Sequence, residues 1–76
     1  EAIRQLEQAV QKDPQLPEIQ EHLGDAYHRD GRYRSALTTY EKAIKALVIP
    51  GEVSRVRGKI ESVSRLVRQS RVGPSK

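Results

Sequence analysis

Cysteine is absent from this 76-residue chain, as are methionine, tryptophan and phenylalanine. Without cysteine there is no disulfide framework, no thiolate zinc site and no cysteine nucleophile, and a cytoplasmic and a periplasmic location both stay open. Aromatic residues make up 4% of the chain, all of them tyrosine, so nucleic-acid stacking and membrane-interface anchoring have little to build on. No apolar run approaches the roughly 18 residues that a spanning helix needs. Mean hydropathy is -0.73. The chain begins at Glu1 without a methionine and without the basic-then-apolar pattern of a secretory signal, and so reads as a segment of a longer protein. A chain of this length buries only about two-thirds of the surface that its unfolded form exposes. One small core is its ceiling, and a large enclosed active site is outside its means.

What is present is charge, unevenly placed. Residues 1–50 hold seven Lys and Arg against eight Asp and Glu, whereas residues 51–76 hold seven against two. The net charge of +4 therefore belongs to the last third, which alone must carry any attraction to nucleic acid or to an anionic membrane surface.

Pro14, Pro17, Gly31, Pro50, Gly51, Gly73 and Pro74 punctuate the chain, and apolar positions recur between them at helical spacing. A first helix is expected over about residues 2–12, with Ile3, Leu6 and Val10 on one face and Ala2 and Ala9 beside them. A second runs from Pro17, suited to a first helical turn, to Arg29, with Asp30-Gly31 as its turn. A third, over about Tyr33–Leu47, presents Ala36, Leu37, Tyr40, Ala43, Ile44 and Leu47 in an amphipathic series. The very short connection between the second and third forces an antiparallel hairpin. After Pro50-Gly51, Val53, Val56, Ile60, Val63 and Val67 form one narrow stripe on a long helix. Valine is only a fair helix former, so packing must hold that helix in place.

Pro17 and Gly51 stand 34 positions apart, a helix-turn-helix period. Within that period lie Leu23-Gly24-x2-Tyr27, then Ala36-x3-Tyr40, then Ala43. The pattern resembles the tetratricopeptide repeat, with Gln20 in place of its tryptophan, Tyr40 for its phenylalanine and Val48 for its closing proline. One period earlier, Ala2, Leu6, Ala9 and Pro14 fall on second-helix positions. One period later, Gly58 falls on the first-helix glycine, while Arg57 and Glu61 replace leucine and tyrosine. The resemblance implies an all-α fold of antiparallel hairpins in a right-handed solenoid: 1–16 the second helix of a preceding repeat, 17–50 a complete repeat, 51–71 a C-terminal capping helix and 72–76 a disordered tail. Leu23, Gly24, Tyr27, Ala36, Tyr40 and Ala43 are its structural signature. Gly24 and Ala36 are small where the helices approach closely.

The resemblance also implies a non-enzymatic module that binds a protein or peptide in a concave groove, here lined by Glu18, Glu21, His22, Asp25, His28 and Arg29. Glu21 and Asp25 are expected to point into that groove, away from the core. They stand where a carboxylate-binding subgroup has lysine and asparagine, so a ligand offering basic or neutral contacts is expected instead. Asp25 lies three residues from both His22 and His28, a spacing open to metal or acid–base pairing, but no HExxH motif or third ligand accompanies it. A solvated helix face is the simpler reading. No cofactor, metal or small-molecule substrate is implied, and no Gly-Lys-Ser/Thr phosphate loop is present. The alternative is that the basic fourth helix binds nucleic acid or an anionic membrane, which would show as binding that collapses when salt rises. One and a half repeats and a cap leave the first helix partly uncovered, so the segment is expected to self-associate at high concentration.

Overall fold

The computed structural model describes residues 2–72, with side chains through Gln69. Four helices follow one another: α1 (Ala2–Lys12), α2 (Pro17–Arg29), α3 (Tyr33–Ala46) and α4 (Pro50–Val72), with no strand among the described residues. The elements are those that the apolar spacing predicts, except at the edges of α3 and α4. Leu47 already has extended backbone angles and closes α3, and α4 begins one residue earlier than expected, on Pro50, and continues through Val72. The tail expected over 72–76 lies, from Gly73 onward, outside the described residues.

Each boundary has a local cause. Leu16 precedes a proline and takes the extended conformation that Pro17 imposes on it, so α2 starts with Pro17 in its first turn. Its far end closes on Gly31, whose φ of 81° lies in the left-handed region. There the Arg32 N–H donates to the Tyr27 carbonyl at 2.9 Å and the Gly31 N–H to the His28 carbonyl at 3.1 Å. These two bonds satisfy carbonyls that the helix end leaves open and turn the chain back within three residues.

Each helix packs on its neighbours in sequence: α1 on α2, α2 on α3, α3 on α4. The Cα atoms occupy a slab of 42 × 30 × 14 Å. Ala36 and Tyr40 from α3 and Val56 and Val63 from α4 form the core cluster, with Leu37, Ile44, Ile60 and Val67 packed against it. The valine stripe therefore faces α3, and fully burying each such side chain contributes about 1.5 to 3 kcal/mol. On the other side of α3, the repeat signature behaves as its small residues require. A Cβ added at Gly24 would stand 2.5 Å from the Tyr40 ring, so only glycine admits the ring there. α1 buries none of its residues fully. Its main polar tie is the Tyr27 hydroxyl, which donates to Glu7 at 2.5 Å. Burial of the ring, with the hydrogen bond to Glu7 second, pushes the Tyr27 hydroxyl up to about 12.

Gln20 shows how the chain does without tryptophan. It is buried, and its Nε2 donates to the Pro14 carbonyl at 3.2 Å, fastening the α1–α2 turn to α2. Thr39, also buried, returns its hydroxyl proton to the Ser35 carbonyl at 2.8 Å. Among the described residues no buried side-chain nitrogen or oxygen lacks a partner.

Candidate protein-interaction surface

The residues proposed for the groove do not share one environment. Glu18, His22 and Arg29 are exposed along α2, and His28 is half-buried with its ring edge-on to Tyr33 at 5.7 Å between centroids. Glu21 differs from all of these. Its side chain is only 9% exposed, and it is held by two cations from α4. Arg55 donates through Nε at 2.9 Å and through a terminal nitrogen at 2.7 Å, one to each carboxylate oxygen. The Lys59 ammonium adds a third bond at 2.7 Å and also reaches both oxygens of Asp25, at 3.1 and 3.2 Å. Asp25 in turn accepts the Tyr40 hydroxyl proton at 2.5 Å. The chain Arg55, Glu21, Lys59, Asp25, Tyr40 thus ties α4 to α2 across the mouth of the core.

The proton equilibria follow from that geometry. The Arg55 guanidinium, and after it the Lys59 ammonium, hold the Glu21 carboxyl down at about 2, against a smaller opposing effect of burial. Tyr40 is raised above the ordinary tyrosine range, first by burial and then by the Asp25 carboxylate that accepts its proton. Burial acts against the charge of Lys59, yet its carboxylate partners Glu21 and Asp25 together outweigh that effect and raise it. Its ammonium stands 5.8 Å from the Tyr40 ring centroid, within cation–π range.

Between α2 and α4 opens a cleft of about 440 Å³. Tyr40, Asp25 and His28 line one side, and Arg55, Gly58, Lys59 and Ser62 the other. Gly58 leaves it unobstructed, since a Cβ at that position would meet no atom within 4 Å. The Asp25 carboxylate, which stands at helical spacing from His22 and His28, is engaged by Lys59 and Tyr40. Among the described residues no three His, Asp or Glu side chains come together as a metal site, and no helix is long and apolar enough to cross a membrane.

Two expectations change here. Glu21 does not face solvent in an open groove; it is buried under α4. Nor does the α2 face present Glu21 and Asp25 as free carboxylates to a basic ligand, since both are matched by cations of the chain itself. The sequence reading placed Arg55 and Lys59 in the basic set of the fourth helix and missed their bonds to Glu21 and Asp25, though a signal existed. The two cations lie 34 positions after Glu21 and Asp25, the repeat period, with the sign of charge reversed at both places. In the structure the two pairs of positions lie against each other, Arg55 on Glu21 and Lys59 on Asp25. The same pairing engages two cations of the basic set on α4, while Arg57, Arg65 and Arg68 are also exposed.

A family model described as TPR repeat matches residues 1–31, which span α1, α2 and the turn at Gly31. No curated protein and no solved structure matches the chain. The matched stretch and the four-helix architecture agree: the chain resembles the tetratricopeptide-repeat family, and its fold is all-α, built of antiparallel helical hairpins of that kind. Repeats of this family mediate protein–protein interaction.

Proposed function

We propose that this chain is a non-enzymatic interaction module that binds a peptide or partner helix in the cleft between α2 and α4. In this reading residues 1–16 are the second helix of a preceding repeat, 17–50 a complete repeat, and α4 its cap, occupying the place of the next first helix. The observation that supports it most is the open cleft beside Gly58, lined by Asp25, His28, Tyr40, Arg55, Lys59 and Ser62. Glu18, His22 and Arg29 extend the surface along α2. Asp25 lines the cleft directly, and Glu21 serves it indirectly, by holding Arg55 and Lys59 in place.

Gly58→Phe tests this. The added ring enters open space, and replacing a helix-interior glycine is favourable for the helix, so the melting curve should hold or rise. Affinity capture followed by mass spectrometry should then recover a partner with the wild-type chain and lose it with the variant. A partner held equally by both would place binding away from this cleft.

α1 supports a second, weaker interaction. Ile3, Leu6, Ala9 and Val10 are only half-buried, and Ala2 is exposed. At high concentration the isolated chain should cover this edge with a second copy. Sedimentation equilibrium that returns a constant monomer mass, together with a melting temperature independent of concentration, would exclude it.

A further inference from the structure

A second groove lies on the other side of α2. Asp25, which lines the cleft toward α4, and Tyr27 stand two residues apart, about 200° around the helix, and so serve opposite faces. The Tyr27 side opens a groove of about 340 Å³ along α3, lined by Tyr27, Arg34, Ser35, Thr38, Thr39 and Lys42. Its inner hydroxyls are engaged: Tyr27 donates to Glu7, and the buried Thr39 to the Ser35 carbonyl. Its cations are not. Arg34, Ser35, Thr38 and Lys42 are exposed, and among the described residues no carboxylate pairs with Arg34 or Lys42. The order of residues explains this. Three and four positions from Arg34 along α3 stand Leu37 and Thr38, and from Lys42 stand Thr38, Thr39, Lys45 and Ala46, none of them acidic. Glu41, the one acid of α3, is spaced to meet Lys45.

We propose that this groove receives a partner helix that carries two carboxylates about two turns apart, one meeting Arg34 and the other Lys42. The two cations are separated by eight residues, about 12 Å along the axis of α3, and lie within a quarter turn of each other. A helix laid along α3 advances at the same rate per residue, so its acids at i and i+7 or i+8 match that separation. Neither cation has an internal ion pair to give up, and Ser35 and Thr38 add hydroxyls between them. The surface is separate from the α2–α4 cleft, and a partner seated in that cleft leaves it free.

Alanine-rich helical peptides of equal length, acetylated and amidated so that only side chains carry charge, test it. One has two glutamates eight positions apart, two others have glutamines or lysines at the same places, and a fourth has its glutamates five positions apart, on different faces. Each is titrated into the ¹⁵N-labelled chain, with amide shifts read at Ser35, Thr38 and Lys42 and affinity read by fluorescence anisotropy. The first peptide should shift all three amides and bind more tightly than the other three. Thr38→Glu places an acid four residues from both cations, where it occupies them from within the chain. Its melting curve should hold or rise, and its affinity for the first peptide should fall about fivefold. Equal or tighter binding of the glutamine or lysine peptide would overturn acidic selection, and equal binding of the five-spaced peptide would overturn the two-point match. Shifts confined to Arg57, Arg65 and Arg68, no shift in α3 with any peptide, or a Thr38→Glu chain that binds as wild type does would overturn the groove.

Discussion

Glu21→Gln removes the central charge of the α2–α4 network at nearly constant shape, and its consequence depends on pH in a defined direction. In the folded chain the Glu21 carboxyl titrates at about 2, against an ordinary value of 4.5. A group whose folded pKa is depressed contributes stability that is fully present above the unfolded value and is lost as pH falls through the folded one. The window is therefore about pH 4.5 down to about pH 2. The full difference corresponds to about 3 kcal/mol at neutral pH. Because the cations over Glu21 stand partly in solvent, screening brings the expected loss to roughly 1 to 2 kcal/mol. For a domain of this size that lowers the melting temperature by about 4 to 16 °C. Urea denaturation followed by circular dichroism, on wild type and variant from neutral pH down to about pH 2, reads it directly. The gap between the two chains should be widest at neutral pH and close as the wild-type carboxyl takes up its proton. A gap that stays constant across the range, or no gap at neutral pH, would refute the assignment of the low pKa to these ion pairs.

Gly24→Ala drives a methyl group into the Tyr40 ring, which is buried and tied to Asp25 and so has no room to retreat. The overpacking cost of about 1 to 3 kcal/mol exceeds the roughly 1 kcal/mol gained in helix propensity, and a thermal melt should show net destabilisation. An unchanged melt would mean that the ring is free to move. At Gly31 no atom crowds a Cβ, yet the positive φ is costly for any other residue. Gly31→Ala should therefore lose about 1 kcal/mol by denaturant titration through backbone strain alone.

Much of this architecture is written in local chemistry. Pro17 and Gly31 set the limits of α2, the spacing of Ala36, Tyr40 and Ala43 sets the buried face of α3, and the valines of α4 mark the side that meets α3. The close approach at Gly24 was legible because glycine weakens a helix interior, a cost that makes physical sense where a large ring on the paired helix needs the space. The candidate site was less so. Helical spacing groups Glu21, His22 and Asp25 on one element, but it does not say which of them a later helix will cover. That depends on how α4 rotates about its own stripe, and one narrow line of valines fixes its contact side more firmly than the neighbours of its polar flanks. Gln20 was opaque for a related reason: its role is to bond the Pro14 carbonyl, a turn contact that no apolar periodicity encodes.

The bonds from Arg55 and Lys59 back to Glu21 bridge 34 and 38 residues of sequence. They have a place in time as well as in space. The α2–α3 hairpin closes through near neighbours, whereas Glu21 meets its cations only after α4 has found α3, so this network should form on the native side of the folding barrier. Losing it should leave the refolding rate almost untouched and speed unfolding instead. Glu21 with its two cations is thus expected to act as a kinetic clasp, doing little to bring the helices together and slowing their parting.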